Sequence, residues 1–333
     1  MIEASAPVRI CDNGGWTDTW FGGPGRVVNV AVTPGVEVSI RRTAGPDRVV
    51  LDVASFGERY PVVPGAFRPA RHPLLEAAID AFPPPADVAV EISVRSAIPA
   101  GCGTGTSAAV AVAVLGGLAA ARGEQLSPRH IAYAAHRLEV EGLGVESGIQ
   151  DQLSSALGGI NYLEIDRYPE ATVQPLPAWE ELGPRLTLVF LGTAHDSPAV
   201  HRQVIEDVGR HQSGALARLR HAAVATRDAV IAQDLDGFGR AMIANTEAQK
   251  ELHPALVGVD ATRVIAVAAE QQAVGWKVNG AGGDGGSVTI LSATPPEKQA
   301  LERLVAGLDT RYQVLPIDVA AVGLQVRGAL GTP

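Results

Sequence analysis

The sequence predicts a chain of mixed strands and helices in two parts, and three observations carry that reading. Val27-Val-Asn-Val-Ala-Val32, Val36-Glu-Val-Ser-Ile40 and Val49-Val-Leu-Asp-Val53 are short apolar or alternating runs at hairpin spacing, so the first third reads as an antiparallel-rich sheet. Pro99-Ala-Gly-Cys-Gly103-Thr-Gly105-Thr-Ser107-Ala-Ala109 sets three glycines on alternate positions between a strand-like run, Val88 to Arg95, and a helix-like apolar run ending near Ala121. Residues 166–184 are rich in proline and acidic side chains and mark a seam between residues 1–175 and 176–333.

In chain order, Ala6-Pro-Val-Arg-Ile10 begins as a strand and breaks at Gly14-Gly15, and Gly22-Gly-Pro-Gly25 continues the loop. A helix is expected from Leu74 to Ala81, between Pro73 and Pro83-Pro-Pro85. Two more follow the glycine run, over about 107–121 and 128–142, the second capped by Ser127 with Pro128 in its first turn. Ser147-Gly-Ile-Gln-Asp-Gln152 opens a short helix closed by Gly158-Gly159, and Ile160 to Ile165 returns as a strand. In the second half, Leu186 to Leu191 is a buried strand, with helices over about 198–232 and 235–250. Strands around Val274 to Gly280 and Ser287 to Leu291 flank a second glycine cluster, Gly280-Ala-Gly-Gly-Asp-Gly-Gly286. A helix near 296–307 and a strand at Tyr312 to Leu315 close this part.

At 333 residues, 46% hydrophobic and 19% charged, the chain has ample material for one large or two smaller cores. Its net charge of -9 argues against nucleic acid as a partner, though a local anion site on an acidic protein remains open. Two cysteines, Cys11 and Cys102, form no disulfide framework, which makes a reducing cytoplasm the expected location. The first residues carry no export pattern, and the apolar run Ala108 to Ala121 is too short to span a bilayer.

A glycine-rich turn from strand to helix lets the backbone approach a ligand and aims the free amides of the helix's first turn at it, which suits a phosphate. A Walker-type loop needs a lysine there, and the lysines stand at 250, 277 and 298. Gly103-x-Gly105-x-x-Ala108 fits the dinucleotide fingerprint but lacks the second strand ending in an acidic residue; Glu124 lies in Arg122-Gly-Glu-Gln-Leu-Ser127, a helix end before another helix. A plain turn packed on a sheet is the remaining alternative.

Arg9, leading into a glycine loop, could neutralise a phosphoryl group or hold a carboxylate ionised, or could simply sit at a sheet edge. Asp12 and Asp18 could cap turns, and Asp18 could equally accept sugar hydroxyls beside an apolar face from Trp16. Glu139 and Glu141, two apart, point to different faces of a helix, so only one can look into a given pocket. Asp151 could support a helix start or act as a general base, in which case position matters more than basicity. His195, His201, His221 and His253 show no metal-binding spacing.

In this order the motifs resemble those of the GHMP kinases, small-molecule kinases named for galactose, homoserine, mevalonate and phosphomevalonate. Ala6-Pro-Val-Arg-Ile with Gly14-Gly-Trp-Thr-Asp18 looks like their first motif, Pro99-x-x-x-Gly-x-Gly-x-Ser-Ala-Ala like their phosphate loop, and Gly280-Ala-Gly-Gly-Asp-Gly-Gly like their third. Gly-Gly-Trp-Thr-Asp-Thr, Ser147-Gly-Ile-Gln-Asp-Gln-x-x-x-Ala-x-Gly-Gly159 and Gly275-Trp-Lys-Val-Asn-Gly-Ala-Gly-Gly283 are most similar to the branch of L-fucose kinase and the heptose 7-phosphate kinases, which phosphorylate an anomeric hydroxyl. The resemblance implies an α+β fold: an N-terminal domain with a left-handed βαβ crossover, a ferredoxin-like C-terminal domain, and the site between them.

It further implies ATP and Mg²⁺. Gly101, Gly103, Thr104, Gly105, Thr106, Ser107 and Ala108 would wrap the phosphates, with Ser107 and Glu139 meeting the metal, though Glu141 stays possible. Asp151 would be the base and Arg9 its partner, while Asp18, Trp16, Gly148, Gly282 and Gly283 would surround a sugar or sugar phosphate. Such an enzyme would act as a monomer or homodimer, without a nucleic-acid or membrane partner. Thr104, Thr106 and Asp284 depart from the family pattern. A catalytically silent sensor on the same fold, or a dinucleotide enzyme, are the alternatives.

Overall fold

The computed structural model describes residues 1–44, 47–65, 71–193, 204–206 and 214–330. Its centre is a nine-stranded sheet built around β2, Gly25–Arg42, which pairs with β1, Ile2–Asn13, along most of its length. The first half of β2 also pairs with β6, Ile160–Arg167, and its second half with β5, Val90–Ser96. Beyond β5 come β3, Val49–Val53, and β4, Glu58–Val62; β7, Glu170–Pro175, lies outside β6.

The expected hairpin spacing is corrected here. The runs at 27–32 and 36–40 form one continuous strand, and β3 pairs parallel with β5 instead of folding back on β2. Every β2 position from Val27 to Val32 is buried, and Asp318–Val319 together with β5 and β6 supplies partners along the edge that β1 leaves. Tertiary pairing therefore overrides the local turn signal at Pro34-Gly35.

Four helices pack near this sheet: α1 (Pro73–Ala81), α2 (Thr106–Ala121), α3 (Pro128–Arg137) and α4 (Gln150–Leu157). Pro73 and Pro128 stand in first turns, and the Ser127 hydroxyl accepts from His130 N at 3.2 Å, as expected of a cap. Helix α2 is buried almost all round because it touches β1, β2, α1, α3 and α4. The predicted helix 128–142 ends at Arg137 and continues as a single π turn, Leu138–Gly142.

A second sheet has the order β11-β8-β10-β9, with β8 Leu186–Phe190, β9 Gly275–Val278, β10 Ser287–Leu291 and β11 Gln313–Leu315, all antiparallel. Numbered within the sheet this is 4-1-3-2, the ferredoxin-like order that the family resemblance implied. Helices α5 (Gly214–Ala232), α6 (Leu235–Leu252) and α7 (Val259–Glu270) lie between β8 and β9, and α8 (Pro295–Leu308) precedes β11. Helix α7 and strand β4 carry no clear signal in the sequence; the part of the expected 198–232 helix before Gly214 falls largely outside the described residues. The chain does not stop at β11: β12, Asp318–Val319, pairs with β2, and β13, Gln325–Gly328, with β1, returning to the first sheet.

Candidate active site

A cleft of ≈ 450 Å³ opens where the end of β1, the 101–107 loop, the 143–148 segment and the start of α4 converge. A shift in register between Ile10 and Asn13, with Cys11 at φ 50, interrupts the alternation of β1. Residues three apart on a regular strand face opposite sides; the irregularity brings Arg9 and Asp12 to the same side, 4.0 Å apart.

Arg9 is 4% exposed and grips Asp151 with two bonds, Nε to Oδ1 at 2.8 Å and Nη2 to Oδ2 at 3.0 Å. Its Nη1 also donates to the Gly103 carbonyl, and its backbone N donates to Thr104 O at 2.9 Å. Burial alone would lower the guanidinium pKa, but Asp151 and then Asp12 outweigh it and raise the value, so Arg9 stays charged. One arginine thereby ties β1, the glycine loop and α4 together.

The loop glycines Gly101, Gly103 and Gly105 all take positive φ. A Cβ at Gly103 would lie 2.9 Å from Asn279 O and one at Gly105 would lie 3.0 Å from Asp151 Oδ2, so the loop runs in contact with both the second glycine cluster and the carboxylate. Thr106 and Ser107 begin α2 and line the cleft, whereas Thr104 and Ala108 are buried behind it. Thr104 shares a 3.2 Å hydroxyl contact with Thr106.

Glu139 is 5% exposed and lines the cleft, whereas Glu141 is exposed and lies outside the lining. The π turn adds a residue to the helical repeat, placing Glu139 inward. Ser147 Oγ donates to Glu139 Oε2 at 3.0 Å, and Gln152 Nε2 donates to the same oxygen. Burial pushes the Glu139 carboxyl up to about 7. Asp18 behaves alike: burial, then the charge of Asp151, raises it to about 7 despite a 3.2 Å bond from Gln150 N. Gly148 is required beside it, since a Cβ there would fall 1.9 Å from Asp18 Oδ2. Trp16, at φ 77, lines the same end of the cleft.

The second glycine cluster divides. Gly280 and Ala281 line the cleft, while Gly282 and Gly283 meet the Leu256–Val257 backbone, and Asp284 is exposed. His195 and His201 fall outside the described residues.

Lys277 carries a role that sequence reasoning missed. It is 0% exposed, and Nζ bonds Asp12 Oδ1 at 3.2 Å, Gln249 Oε1 at 2.9 Å and the Val278 carbonyl. Asp12 also accepts from Gly280 N at 3.1 Å, so the second glycine cluster is fastened to the end of β1. Burial lowers the Lys277 pKa, although Asp12 opposes the shift. The available signal was a rare lysine inside an otherwise apolar strand, directly before a glycine cluster. Cys102 lines the cleft too, but burial raises its thiol to about 11, which suits an inert side chain and not a nucleophile.

Two sheets joined at a cleft that carries a glycine loop on a helix N-terminus and a buried arginine–carboxylate pair define a small-molecule site of anion-binding type. A family model described as "GHMP kinases N terminal domain" matches residues 73–159. Mevalonate kinase of Pyrococcus furiosus is 30% identical over 223 residues, 64% of this chain and 62% of that one. The D-glycero-alpha-D-manno-heptose 7-phosphate kinase of Campylobacter jejuni is 25% identical over 195 residues, 57% and 58% of the two chains. A solved D-glycero-D-manno-heptose 1-phosphate kinase from Bacteriodes thetaiotaomicron superposes with TM-score 0.78 over 98% of this chain and 99% of its own, at 21% identity. Residues 73–159 thus match the N-terminal domain of the GHMP kinases, and the chain as a whole has the two-sheet fold of the solved heptose kinase and mevalonate kinase structures. It spans less than two thirds of the length of these curated relatives. Among the described residues no helix is long and apolar enough to cross a membrane.

Proposed function

We propose that the protein is an ATP-dependent kinase that phosphorylates a hydroxyl group of a sugar, the anomeric hydroxyl being the acceptor that the family resemblance implies. One observation carries the reading: Asp151, held by two bonds from Arg9, touches the glycine loop at Gly105. A proton acceptor thus stands against a phosphate cradle, and phosphoryl transfer depends mainly on such positioning and on charge neutralisation.

The fit of the absent groups is supported by side chains already in place. The open amides at the start of α2 and the positive-φ glycines suit the phosphates. Glu139 is a buried carboxylate that forms no salt bridge among the described residues, and Ser107 lines the same cleft. One carboxylate and one hydroxyl together with substrate phosphates are an ordinary magnesium environment, and the ion would supply charge neutralisation on the phosphates.

The chain's own groups do the rest. Asp18 and the Gln150 backbone stand at the acceptor end, and Gly148 leaves room for the Asp18 carboxylate. Asp151 orients the acceptor hydroxyl and takes its proton as the oxygen bonds to the γ-phosphorus and the bond to ADP breaks. Arg9 holds the Asp151 carboxylate in place through its two bonds. The reading is tested by ADP release across fucose, galactose, mannose, heptoses and their phosphates. Release that depends on one acceptor is expected; MgATP binding without release for any acceptor on the panel would favour the silent sensor.

A further inference from the structure

We propose that Lys277 is a positioning residue for phosphoryl transfer: by occupying Asp12 it leaves the Arg9 guanidinium to Asp151. This rests on the kinase reading above.

Two carboxylates lie within reach of one arginine. Asp151 takes two bonds from it, at 2.8 Å and 3.0 Å, whereas Asp12 stands 4.0 Å from Nη1. Asp12 is 1% exposed, and a carboxylate removed from water is costly unless it is paired. Its pairing comes from the other side: Lys277 Nζ lies 3.2 Å from Oδ1, and Gly280 N donates to both oxygens at 3.1 Å. The ammonium is itself fixed by Gln249 Oε1 at 2.9 Å and by the Val278 carbonyl, which hold it against Asp12. Arg9 and Lys277 thus divide the two acids between them.

Without the ammonium, Asp12 keeps its backbone donor, and among the described residues the one cation left within 4.0 Å is Arg9. Closing that gap to a hydrogen bond needs a movement of about 1 Å. The guanidinium donors sit in one rigid plane, so turning Nη1 toward Asp12 also moves the Nε and Nη2 edge that grips Asp151. A misplacement of about 1 Å at a reacting group is enough to slow a reaction about 10²-fold. A simpler role for Lys277, fastening Gly280 with no influence on Arg9, predicts a different pattern. Gly280 lines the cleft and packs against Gly103 of the phosphate loop, so its displacement would weaken the binding of MgATP.

The test is steady-state kinetics of variants with MgATP and the acceptor that supports ADP release, together with their crystal structures. Lys277→Met should lower kcat about 10²-fold while KM for MgATP changes by less than about threefold. Adding Asp12→Asn removes the carboxylate that draws Arg9 away, and kcat should then recover about tenfold or more over Lys277→Met alone. A fastening role gives no such recovery and places the loss in KM for MgATP. A double variant as slow as Lys277→Met, or near-normal kcat in Lys277→Met, overturns the proposal and leaves the kinase reading standing. If Lys277→Met does not fold, Lys277→Gln, which keeps a donor for Asp12 without the charge, carries the same comparison. Should no acceptor support ADP release in the unsubstituted protein, the kinase reading fails and the structure of the Lys277 variant decides alone. Arg9 bonded to Asp12 in place of Asp151 upholds the division of the two acids, and Arg9 unmoved overturns it.

Discussion

The floor and the wall of the cleft treat the same chemical group in opposite ways. On the floor, Asp12 and Asp151 sit against buried cations, Lys277 at 3.2 Å and Arg9 at 2.8 Å. On the wall, Asp18 and Glu139 are 2% and 5% exposed and form no salt bridge among the described residues, and burial raises both to about 7. A buried carboxylate with a cation serves as a fixed, oriented anion. One without a cation is held in readiness for something that arrives, a metal ion or a hydroxyl donor.

The largest effect should come from the floor. Asp151→Asn preserves shape while removing the proton acceptor, so kcat is expected to fall about 10²-fold or more with ATP affinity retained. Turnover near normal with a lowered melting temperature would reduce Asp151 to a support for the start of α4.

The wall should announce itself through pH. With its folded pKa raised to about 7 from 4.5, Glu139 favours the folded protein at pH below the unfolded value. That contribution is lost as pH rises through about 7. In metal-free buffer, Glu139→Gln should flatten this decline and, above pH 7, stabilise the protein by on the order of 3 kcal/mol. A residual slope of the same sign from Asp18 should remain. Added Mg²⁺ should raise the stability of the unsubstituted protein above pH 7 but not that of the variant. Identical slopes and identical metal responses in the two proteins would remove Glu139 from the metal site.

Gly103 and Gly57 separate the demands of a cradle from those of a turn. Both have positive φ, yet a Cβ at Gly57 meets nothing within 4 Å while one at Gly103 lies 2.9 Å from Asn279 O. Gly57→Ala should cost about 1 kcal/mol for the backbone conformation alone. Gly103→Ala should cost more, roughly 2–3 kcal/mol, and weaken ATP binding. Equal losses in calorimetric unfolding would mean that the close approach of the two glycine clusters does not matter energetically. The smallest effect belongs to Glu141→Gln: exposed and outside the cleft lining, it should leave turnover unchanged and shift stability by less than about 0.5 kcal/mol. A loss of magnesium dependence there would exchange the roles assigned to the two glutamates.

What the sequence determined by itself was local. Alternate glycines between an alternating run and an apolar run specify a strand-to-helix turn, Ser127-Pro128 specifies a helix start, and the three motifs carry the family resemblance, because each depends on neighbours within a few residues. Tertiary structure decided the rest. Asp151 meets Arg9 across 142 positions and Lys277 meets Asp12 across 265, which no periodicity encodes. The resemblance favoured Glu139 over Glu141 but left both possible, and a π turn places Glu139 inward. The continuous β2 strand and the return of β12 and β13 to the first sheet were equally hidden, since hydrogen-bond partners for buried backbone are supplied by whichever distant segment packs there.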